Sequence, residues 1–520
     1  MTRLSRPSGG TAATLLALAA TVGCHQVDSA FCSSHGCDWT DQEWARVKTL
    51  SPLGPPPADP SNAVADSPDA ARLGQKFYFD PRFSGVATWV DSIHRPVDTA
   101  RACLGKPINV SCATCHDPRF AGTDVTSTPN TVSIGAGVYD VNGQQTLNAA
   151  YFSLLYWNGR SDSLWSQALA VNTSFFSMNS TPAHDFDVIS ANYAAEYQTA
   201  FGTTPTDDGV NGVFVNFGKA IEAYERQLVT TGSAFDRWVA AGPGSGWLTP
   251  QAERGARLFV GKASCIDCHN GPLLSDGLFH DVGVPQQGDH VPRVVDCPAT
   301  NKNCNCAPGA EESTCLPSGA WAGALKLMAG KFNRSSAASS DPTLPEPAAT
   351  TQIGKSLDAG LAPTADLKGA WRTASLRDVA ITAPYMHDGI YQTLEQVVQH
   401  YNRGGVAGAG NAFQLPVCRD GADAAAEGDP AAAPLPCTPR DAGPGGQPHL
   451  AVQLKPLDLA DDEVAALVAF LETLTSDPLP SALTAPPWDD AGLPANDGGV
   501  PLPTTTSIGD CNKPDAGAGQ

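Results

Sequence analysis

Two pentapeptides decide the fold class of this chain: Cys112-Ala-Thr-Cys115-His116 and Cys265-Ile-Asp-Cys268-His269. Both have the pattern C-x-x-C-H, which is the attachment signature of a c-type haem. Two thiols bond to the two vinyl groups of one porphyrin, and the adjacent histidine then ligates the iron. A zinc site or a disulfide beside a histidine is the alternative, and two matches in one chain disfavour it. The sequence therefore predicts two covalently bound c-type haems, with His116 and His269 as iron ligands.

The chain is acidic, with 520 residues and a formal net charge of −21. Nucleic acids and anionic membrane surfaces are therefore poor partners, because like charges repel. A small, basic electron-donor protein would be attracted, although acidity can also serve solubility alone.

The N-terminal segment 1–23 has the pattern of an export signal. Arg3 and Arg6 supply a positive start, and residues 11–22 form an apolar stretch too short to span a bilayer. The sequence Thr-Val-Gly-Cys at 21–24 resembles a lipoprotein cleavage site, which would place a lipid on Cys24. Ordinary cleavage, with Cys24 as one more thiol, is the alternative. We expect the periplasm or cell envelope, with Cys24 as the candidate membrane anchor.

The number of cysteines also favours an oxidising compartment. Of the 15 cysteines, four belong to the haem motifs and Cys24 to the export signal, which leaves ten. This even remainder is consistent with five disulfides, although their pairing does not follow from sequence. The cluster from Cys297 to Cys315 could instead bind a metal, but it has no histidine at ligand spacing. The ten are Cys32, Cys37, Cys103, Cys297, Cys304, Cys306, Cys315, Cys418, Cys437 and Cys511.

A helix precedes each haem motif, which indicates an internal duplication at the level of whole domains. One helix starts near Asp69, and the other starts at Thr249-Pro250, a typical N-cap and first-turn pair. Each half also ends in an amphipathic helix, with apolar stripes made of Phe214, Phe217, Ile221, Tyr224 and Leu228 and of Val464, Leu467, Val468, Leu471 and Leu474.

These elements predict an all-α fold of two fused cytochrome c-like domains, each with one covalent c-type haem. Segments rich in Gly, Ala, Pro and Cys interrupt the second half and indicate surface insertions. The predicted boundaries are a signal peptide at 1–23, a linker at 24–66, an N-terminal domain at 67–240, a C-terminal domain at 241–478 with insertions at 285–366 and 406–450, and a disordered tail at 479–520.

Over residues 67–478 the chain resembles the bacterial dihaem cytochrome c peroxidases and their MauG-type relatives. Any one of the shared strings is weak alone, but their combination with two haem motifs is specific. The strings are Phe79-Asp-Pro-Arg82, Thr146-Leu-Asn-Ala-Ala-Tyr151, Trp157-Asn-Gly-Arg-Ser-Asp162, Cys268-His-Asn-Gly271, Leu376-Arg377 and Ala383-Pro-Tyr-Met-His-Asp-Gly389.

The resemblance implies a role for several residues. The haem held by His116 would react with peroxide, and the haem held by His269 would accept and relay electrons. Trp157 matches a tryptophan that lies between the haems and transfers electrons, and a core aromatic residue is the alternative. Gln167 matches a glutamine of the peroxide pocket.

Three positions depart from the family pattern. Ser177 stands where the family has a glutamate that moves the peroxide proton, and serine is a poor acid–base group without help. Val171 replaces a proline, and Ala136 replaces a histidine that ligates iron. We therefore expect the haem at His116 to be five-coordinate or water-ligated, and we expect the peroxidase efficiency to be affected. Nearby candidates for the proton function are His184, Asp185 and Asp187.

The resemblance also implies a second ligand for the haem at His269 and one calcium ion. MauG-type proteins have a tyrosine, and peroxidases a methionine, just after a Thr-Leu-Glu helix start. Tyr401 holds that position here, Met386 and His400 are lesser candidates, and a merely packed tyrosine is the alternative. The calcium lies between the two domains, where Asn142 matches its side-chain ligand and carbonyl ligands lie near Thr373.

The resemblance thus implies an exported dihaem oxidoreductase that reduces or uses hydrogen peroxide with electrons from a small redox protein. One alternative is a MauG-like enzyme whose high-valent haem pair oxidises a partner protein. Another is a dihaem cytochrome that transfers electrons without catalysis, which Ser177 makes credible. A homodimer is compatible with all three.

Overall fold

The computed structural model describes residues 39–88, 104–124, 133–139, 141–284, 370–405 and 454–488. The predicted signal peptide, Cys24, both predicted insertions and the ten cysteines assigned to disulfides lie outside these ranges. Among the helices within them, none combines the length and the apolar character that crossing a bilayer requires.

Helices make up nearly all of the regular secondary structure of the described residues, as the sequence predicts. A short antiparallel ribbon of β1 (Phe279–His280) and β2 (Trp371–Arg372) accompanies them. The helices are α1 (Asp41–Lys48), α2 (Pro68–Phe79), α3 (Cys112–Cys115), α4 (Leu164–Thr173), α5 (Pro182–Asn192), α6 (Ala194–Phe201), α7 (Pro205–Glu225), α8 (Ala234–Ala241), α9 (Pro250–Val260), α10 (Leu394–Asn402), α11 (Asp461–Glu472) and α12 (Ser481–Thr484).

Two helices of the first half cross at a glycine. Ser67 caps α2 with its side chain, and a proline opens the helix. Helix α2 packs against α7, where a Cβ on Gly74 would lie 1.8 Å from the Ala220 carbonyl oxygen. The predicted stripe from Phe214 to Leu228 is buried in the core that forms around this crossing.

The second half repeats this crossing with different helices. Thr249 caps α9 as predicted, again followed by proline. A Cβ on Gly255 of α9 would lie 1.9 Å from the carbonyl oxygen of Ala466 on α11. A separate hydrophobic core surrounds this pair, so each half has its own core next to its own haem motif.

A second correspondence, which we call the loop repeat, places the same loop in both halves. The 3₁₀ turns Ala149–Tyr151 and Val379–Ile381 each follow a left-handed residue, Asn148 with φ of 62° and Asp378 with φ of 63°. Helices α4 and α10 then begin at equivalent positions, each after a hydroxyl N-cap. A residue of the first loop and a residue of the second loop are therefore equivalent when the same number of positions separates them as separates Asn148 from Asp378. Such equivalent residues can be compared directly.

The outer helices pack on the half that is distant from them in sequence. Helix α1 contributes to the second core, and its Arg46 pairs with Asp267 of the second haem motif at 3.2 Å. Helix α12 lies on the first half, where the Gln75 side chain donates to the Ala482 carbonyl at 2.7 Å. The stretches predicted as a linker (24–66) and as a disordered tail (479–520) thus both contain packed helices. Local patterns indicate them only weakly, because α1 and α12 are short and lie near prolines.

Candidate haem centres

The first motif histidine is held in one ring orientation. His116 follows α3 directly, and its Nδ1 lies 2.8 Å from the Gly122 carbonyl oxygen. Because a carbonyl only accepts, Nδ1 carries the proton and Nε2 is left as the ligand atom. Tyr78 of α2 fixes the backbone by donating to the His116 carbonyl at 2.6 Å. Burial lowers the pKa of His116, which keeps the imidazole neutral and able to bind a metal.

The second motif has the same local design. His269 Nδ1 lies 3.0 Å from the Leu274 carbonyl oxygen, and burial lowers the pKa of this imidazole too. The four motif cysteines are free, and burial raises the pKa of Cys112 and Cys265 to about 12. Pairs of free thiols beside an oriented, neutral imidazole fit covalent attachment of haem.

A large cavity borders the first motif. It encloses about 1300 Å³, including its open mouth, and Cys112, Cys115 and His116 lie in its wall. Arg372 of β2 also lines it, is 4% exposed, and has an Nη1 without a partner among the described residues. Burial lowers the pKa of Arg372 to about 9. A haem carries two carboxylates, and a buried cation that lacks an acidic neighbour within the described ranges fits one of them.

Trp157 connects this cavity to the second half of the chain. It lines the cavity, its Nε1 donates to the Asn142 carbonyl at 2.8 Å, and its own carbonyl accepts from the Arg372 amide at 2.8 Å. His387 of the second half lies edge-on to Trp157, with ring centroids 6.4 Å apart, and stacks on Trp371 at 4.2 Å. Sequence reasoning missed His387 and Trp371. The loop repeat was the available signal, because it makes His387 the equivalent of Trp157.

Gln167 and Ser177 lie together in the same cavity wall. Gln167 is on α4, and Ser177 is 4% exposed. The Ser177 hydroxyl accepts a hydrogen bond from the hydroxyl of Tyr139, which also lines the cavity and which the sequence did not indicate. Ala136 is fully buried, and its amide donates to the Ser177 carbonyl at 2.6 Å.

The three residues considered for the proton function do not line this cavity. His184 Nε2 lies 2.7 Å from the Arg82 carbonyl oxygen, and Asp187 is exposed. Asp185 is fully buried elsewhere in the first half, where the Ser180 hydroxyl donates to it at 2.7 Å. These residues are therefore not placed to move a proton within the cavity.

A glutamate that the sequence reasoning missed does line the cavity. Glu225 ends α7, is 5% exposed, and has an Oε2 without a partner among the described residues. Burial raises its pKa to about 8, so the carboxyl group is protonated at neutral pH. The available signal was its spacing, since it lies one helical turn after Ile221 of the apolar stripe.

Tyr401 on α10 is the equivalent of Val171 on α4 in the loop repeat. Val171 lines the first cavity. Burial raises the pKa of Tyr401, and the neighbouring sulfur atoms of Cys268 and Cys265 add to the effect. The phenol therefore lies near the thiols of the second haem motif.

The two lesser candidates differ in their surroundings. Both ring nitrogens of His400 are engaged, with Nδ1 lying 2.9 Å from the Tyr391 hydroxyl and Nε2 lying 2.8 Å from the Val282 carbonyl oxygen. His400 therefore has no free nitrogen for a metal. Met386 is the equivalent of Tyr156 in the loop repeat, and Tyr156 lines the first cavity, so the position of Met386 remains open to a ligand role.

Asn142 lies between the two halves. The backbone amide of Asn142 donates to the His387 carbonyl at 2.6 Å, and its side-chain Nδ2 donates to the Pro384 carbonyl. The side-chain Oδ1 has no partner within the described ranges. The Thr373 carbonyl already accepts from the Ser275 hydroxyl at 2.8 Å. Calcium takes six to eight oxygen ligands, and Asn142 Oδ1 would be one of them. The calcium ion thus stays a prediction.

Comparison with known proteins places these features in one family. The family model for di-haem cytochrome c peroxidase matches residues 68–243. Cytochrome-c peroxidase IdrP2 of Pseudomonas sp. (strain SCT) is 29% identical over 440 residues, covering 83% of this chain and 86% of that protein. Methylamine utilization protein MauG of Methylorubrum extorquens is 26% identical over 424 residues, covering 81% of each. These matches support the assignment of the chain to the dihaem cytochrome c peroxidase and MauG family.

The fold also resembles that of a solved dihaem protein. The crystal structure of the diheme peroxidase BthA from Burkholderia thailandensis matches with a TM-score of 0.51 at 22% identity, covering 84% of this chain and 94% of that chain. These relatives are dihaem peroxidases and MauG proteins, which supports an oxidoreductase of the dihaem peroxidase class with two haems. The resemblance seen in the sequence is confirmed.

Proposed function

We propose that this dihaem family member is exported and reduces hydrogen peroxide with electrons from a small redox protein. Each half would hold one haem, the first on Cys112, Cys115 and His116 and the second on Cys265, Cys268 and His269. The observation that carries the proposal is the cavity at His116, because a glutamine and a tryptophan of the expected kind lie in its wall. Bound haem would supply the redox chemistry, taking up electrons and passing them to peroxide.

The residues of the chain would prepare this chemistry. The Gln167 amide can orient peroxide in the cavity, and Trp157 offers an aromatic link from the cavity wall to the second half. Ala136, in place of a histidine, leaves no side-chain ligand at that position. Glu225 is a further buried carboxyl group in the cavity wall, and burial raises its pKa to about 8.

Stopped-flow reoxidation tests this function. Peroxide added to the fully reduced holoprotein should reoxidise it rapidly, and Trp157→Phe should slow electron arrival from the second half while leaving peroxide binding intact. Trp247→Phe is the matched control, because Trp247 is 50% exposed. Normal electron exchange with a small cytochrome, together with no acceleration by peroxide, would favour a non-catalytic cytochrome instead.

A MauG-like role is the second candidate, and Tyr401 favours it. A phenol near the thiols of Cys265 and Cys268 suits a ligand that stabilises oxidised iron. Under this reading, peroxide added to the diferric protein gives a long-lived oxidised spectrum that a partner protein discharges. Rapid decay of that spectrum without a partner would argue against this role.

Location and partners form part of the same proposal. We infer export from residues 1–23, with Cys24 as the lipid anchor, which intact-mass analysis of the mature protein would test. The net charge of −21 favours a basic electron donor, so the second-order rate constant for electron transfer from the donor should fall as salt is added.

A calcium ion at Asn142 would be tested by metal analysis of the holoprotein and its Asn142→Ala variant.

A further inference from the structure

Three hydroxyl groups lie in the wall of the cavity at His116. Ser133, Tyr139 and Ser177 all line it, and both serines are 4% exposed. The Tyr139 hydroxyl donates a hydrogen bond to Ser177 Oγ. The Ser133 hydroxyl is buried without a partner among the described residues. A buried polar group of this kind indicates that the cavity receives a polar guest.

The backbone holds these groups in fixed positions. The Ala136 amide donates to the Ser177 carbonyl at 2.6 Å, and the Tyr139 amide donates to the Ser133 carbonyl at 3.0 Å. A Cβ on Gly135 would lie 2.3 Å from the Ser177 carbonyl oxygen, so this segment of the wall packs directly on the serine backbone. The hydroxyl groups therefore need little reorganisation when a ligand arrives.

The number of hydroxyl protons shows which hydrogen bond the Tyr139 and Ser177 side chains can still donate. A hydroxyl group has one proton to donate and two lone pairs to accept with. Tyr139 uses its proton on Ser177 Oγ, which leaves the Ser177 proton for another acceptor, and no described residue takes it. Because hydrogen bonds in a chain polarise one another, the Tyr139 bond makes Ser177 a better donor.

We propose that Ser177, positioned by Tyr139, donates a hydrogen bond to peroxide or to a small anion bound in this cavity. This inference rests on the proposed function, because it requires a haem on His116 with an open coordination position. It assigns the serine a binding role at the place where the family has a proton-transferring glutamate.

The pair differs from a glutamate in its chemistry. Both hydroxyl groups are neutral, and burial raises the pKa of Tyr139, so the phenol stays protonated as a donor. Such a pair stabilises negative charge on a ligand without taking up its proton. It therefore strengthens binding more than it accelerates cleavage of the O–O bond.

Fluoride binding to the ferric holoprotein tests this directly, because fluoride is a small anion that accepts hydrogen bonds and needs no turnover. Ser177→Ala should weaken fluoride about 10-fold to 100-fold, the usual range for one hydrogen bond to a charged group. Tyr139→Phe should weaken it by a smaller factor, since the serine hydroxyl remains but loses its orienting partner. Ser174→Ala and Tyr151→Phe are matched controls outside the cavity wall and should stay within about twofold of the parent protein.

The outcomes separate the inference from the function on which it rests. Equal fluoride affinity in the parent protein and both cavity variants, each with full haem content, would overturn the hydrogen-bond role while rapid peroxide reoxidation could still support the proposed function. A parent protein that neither binds fluoride nor is reoxidised by peroxide would refute both. A further check is the C–O stretching frequency of the ferrous carbonyl complex, which should rise in Ser177→Ala and stay unchanged in Ser174→Ala.

Discussion

Substitution of either crossing glycine should damage one half of the protein selectively. An added Cβ at Gly74 would lie 1.8 Å from the Ala220 carbonyl oxygen, and one at Gly255 would lie 1.9 Å from that of Ala466, whereas ordinary contact begins at 3.4 Å. The obstacle is backbone in both cases, so no side chain can rotate away. The paired helices would have to separate by about 1.5 Å, which opens the core on both sides of the contact.

The expected cost follows from two opposing effects. Overpacking of a tight core costs about 1–3 kcal/mol, while alanine gains up to about 1 kcal/mol over glycine inside a helix. We expect Gly74→Ala and Gly255→Ala each to lower the free energy of unfolding by about 2 kcal/mol, or about 4–8 °C in the melting temperature of a half of this size. Because α2 also carries Tyr78, which bonds the His116 carbonyl, Gly74→Ala should alter the electron paramagnetic resonance signal of the haem at His116 and spare the other.

Calorimetry and resonance spectra of the holoprotein measure both effects. Gly54→Ala is the control, because an added Cβ there has no neighbour within 4 Å. If Gly74→Ala had the same melting temperature as Gly54→Ala and left both haem signals unchanged, the close helix crossing and its link to His116 would be refuted.

Three other predictions concern single side chains. Tyr401→Phe should convert the low-spin ferric signal of the second haem to a high-spin signal, whereas an unchanged spectrum in that variant and a changed one in Met386→Leu would transfer the ligand role to methionine. Arg372→Met should lower the reduction potential of the haem at His116, because a buried positive charge beside the haem is lost. Arg254→Met removes a surface charge and should leave that potential unchanged. Equal potentials for the parent protein and Arg372→Met in a spectroelectrochemical titration would count against the pairing of Arg372 with a haem carboxylate. Burial raises the pKa of Asp185 from 3.8 to about 7, so the folded state binds its proton more tightly than the unfolded state does. This group should make the free energy of unfolding fall as pH rises from about 4 to about 7, by at most about 1.4 kcal/mol per pH unit. The free energy of unfolding of Asp185→Asn, measured by denaturant titration at several pH values, should fall less steeply than the parent's, because Glu225 and Asp281 remain, and an equal fall would show that Asp185 does not contribute.

The elements with strong local signals were predictable from sequence. The helix start near Asp69, the cap at Thr249 and the apolar stripe from Phe214 to Leu228 depend on residues close together in the chain, and the structure has them as expected. The haem motifs themselves are local as well, because thiols and imidazole must reach one porphyrin. These features were enough to predict the helical class and the duplication.

Contacts between distant segments were not predictable in the same way. The bond from Tyr139 to Ser177 joins two separate segments of the first half, and the stacking of His387 on Trp371 depends on how the loops of the second half meet. The position of Glu225 in the cavity wall was not predicted for another reason. A charged residue next to an apolar stripe is normally a surface residue at the edge of that stripe. A single sequence contains no record of which distant residues share a cavity.

The crossed placement of α1 and α12 has a consequence for synthesis of the protein. Helix α1 leaves the ribosome early, yet its packing surface belongs to the second half, so it has nothing to pack on until that half is made. The first half waits still longer, because Gln75 and Tyr224 contact residues 482–485, which are translated after α11. The first half therefore lacks some of its described contacts until the second half has also been translated, although most of its own residues come first in the chain.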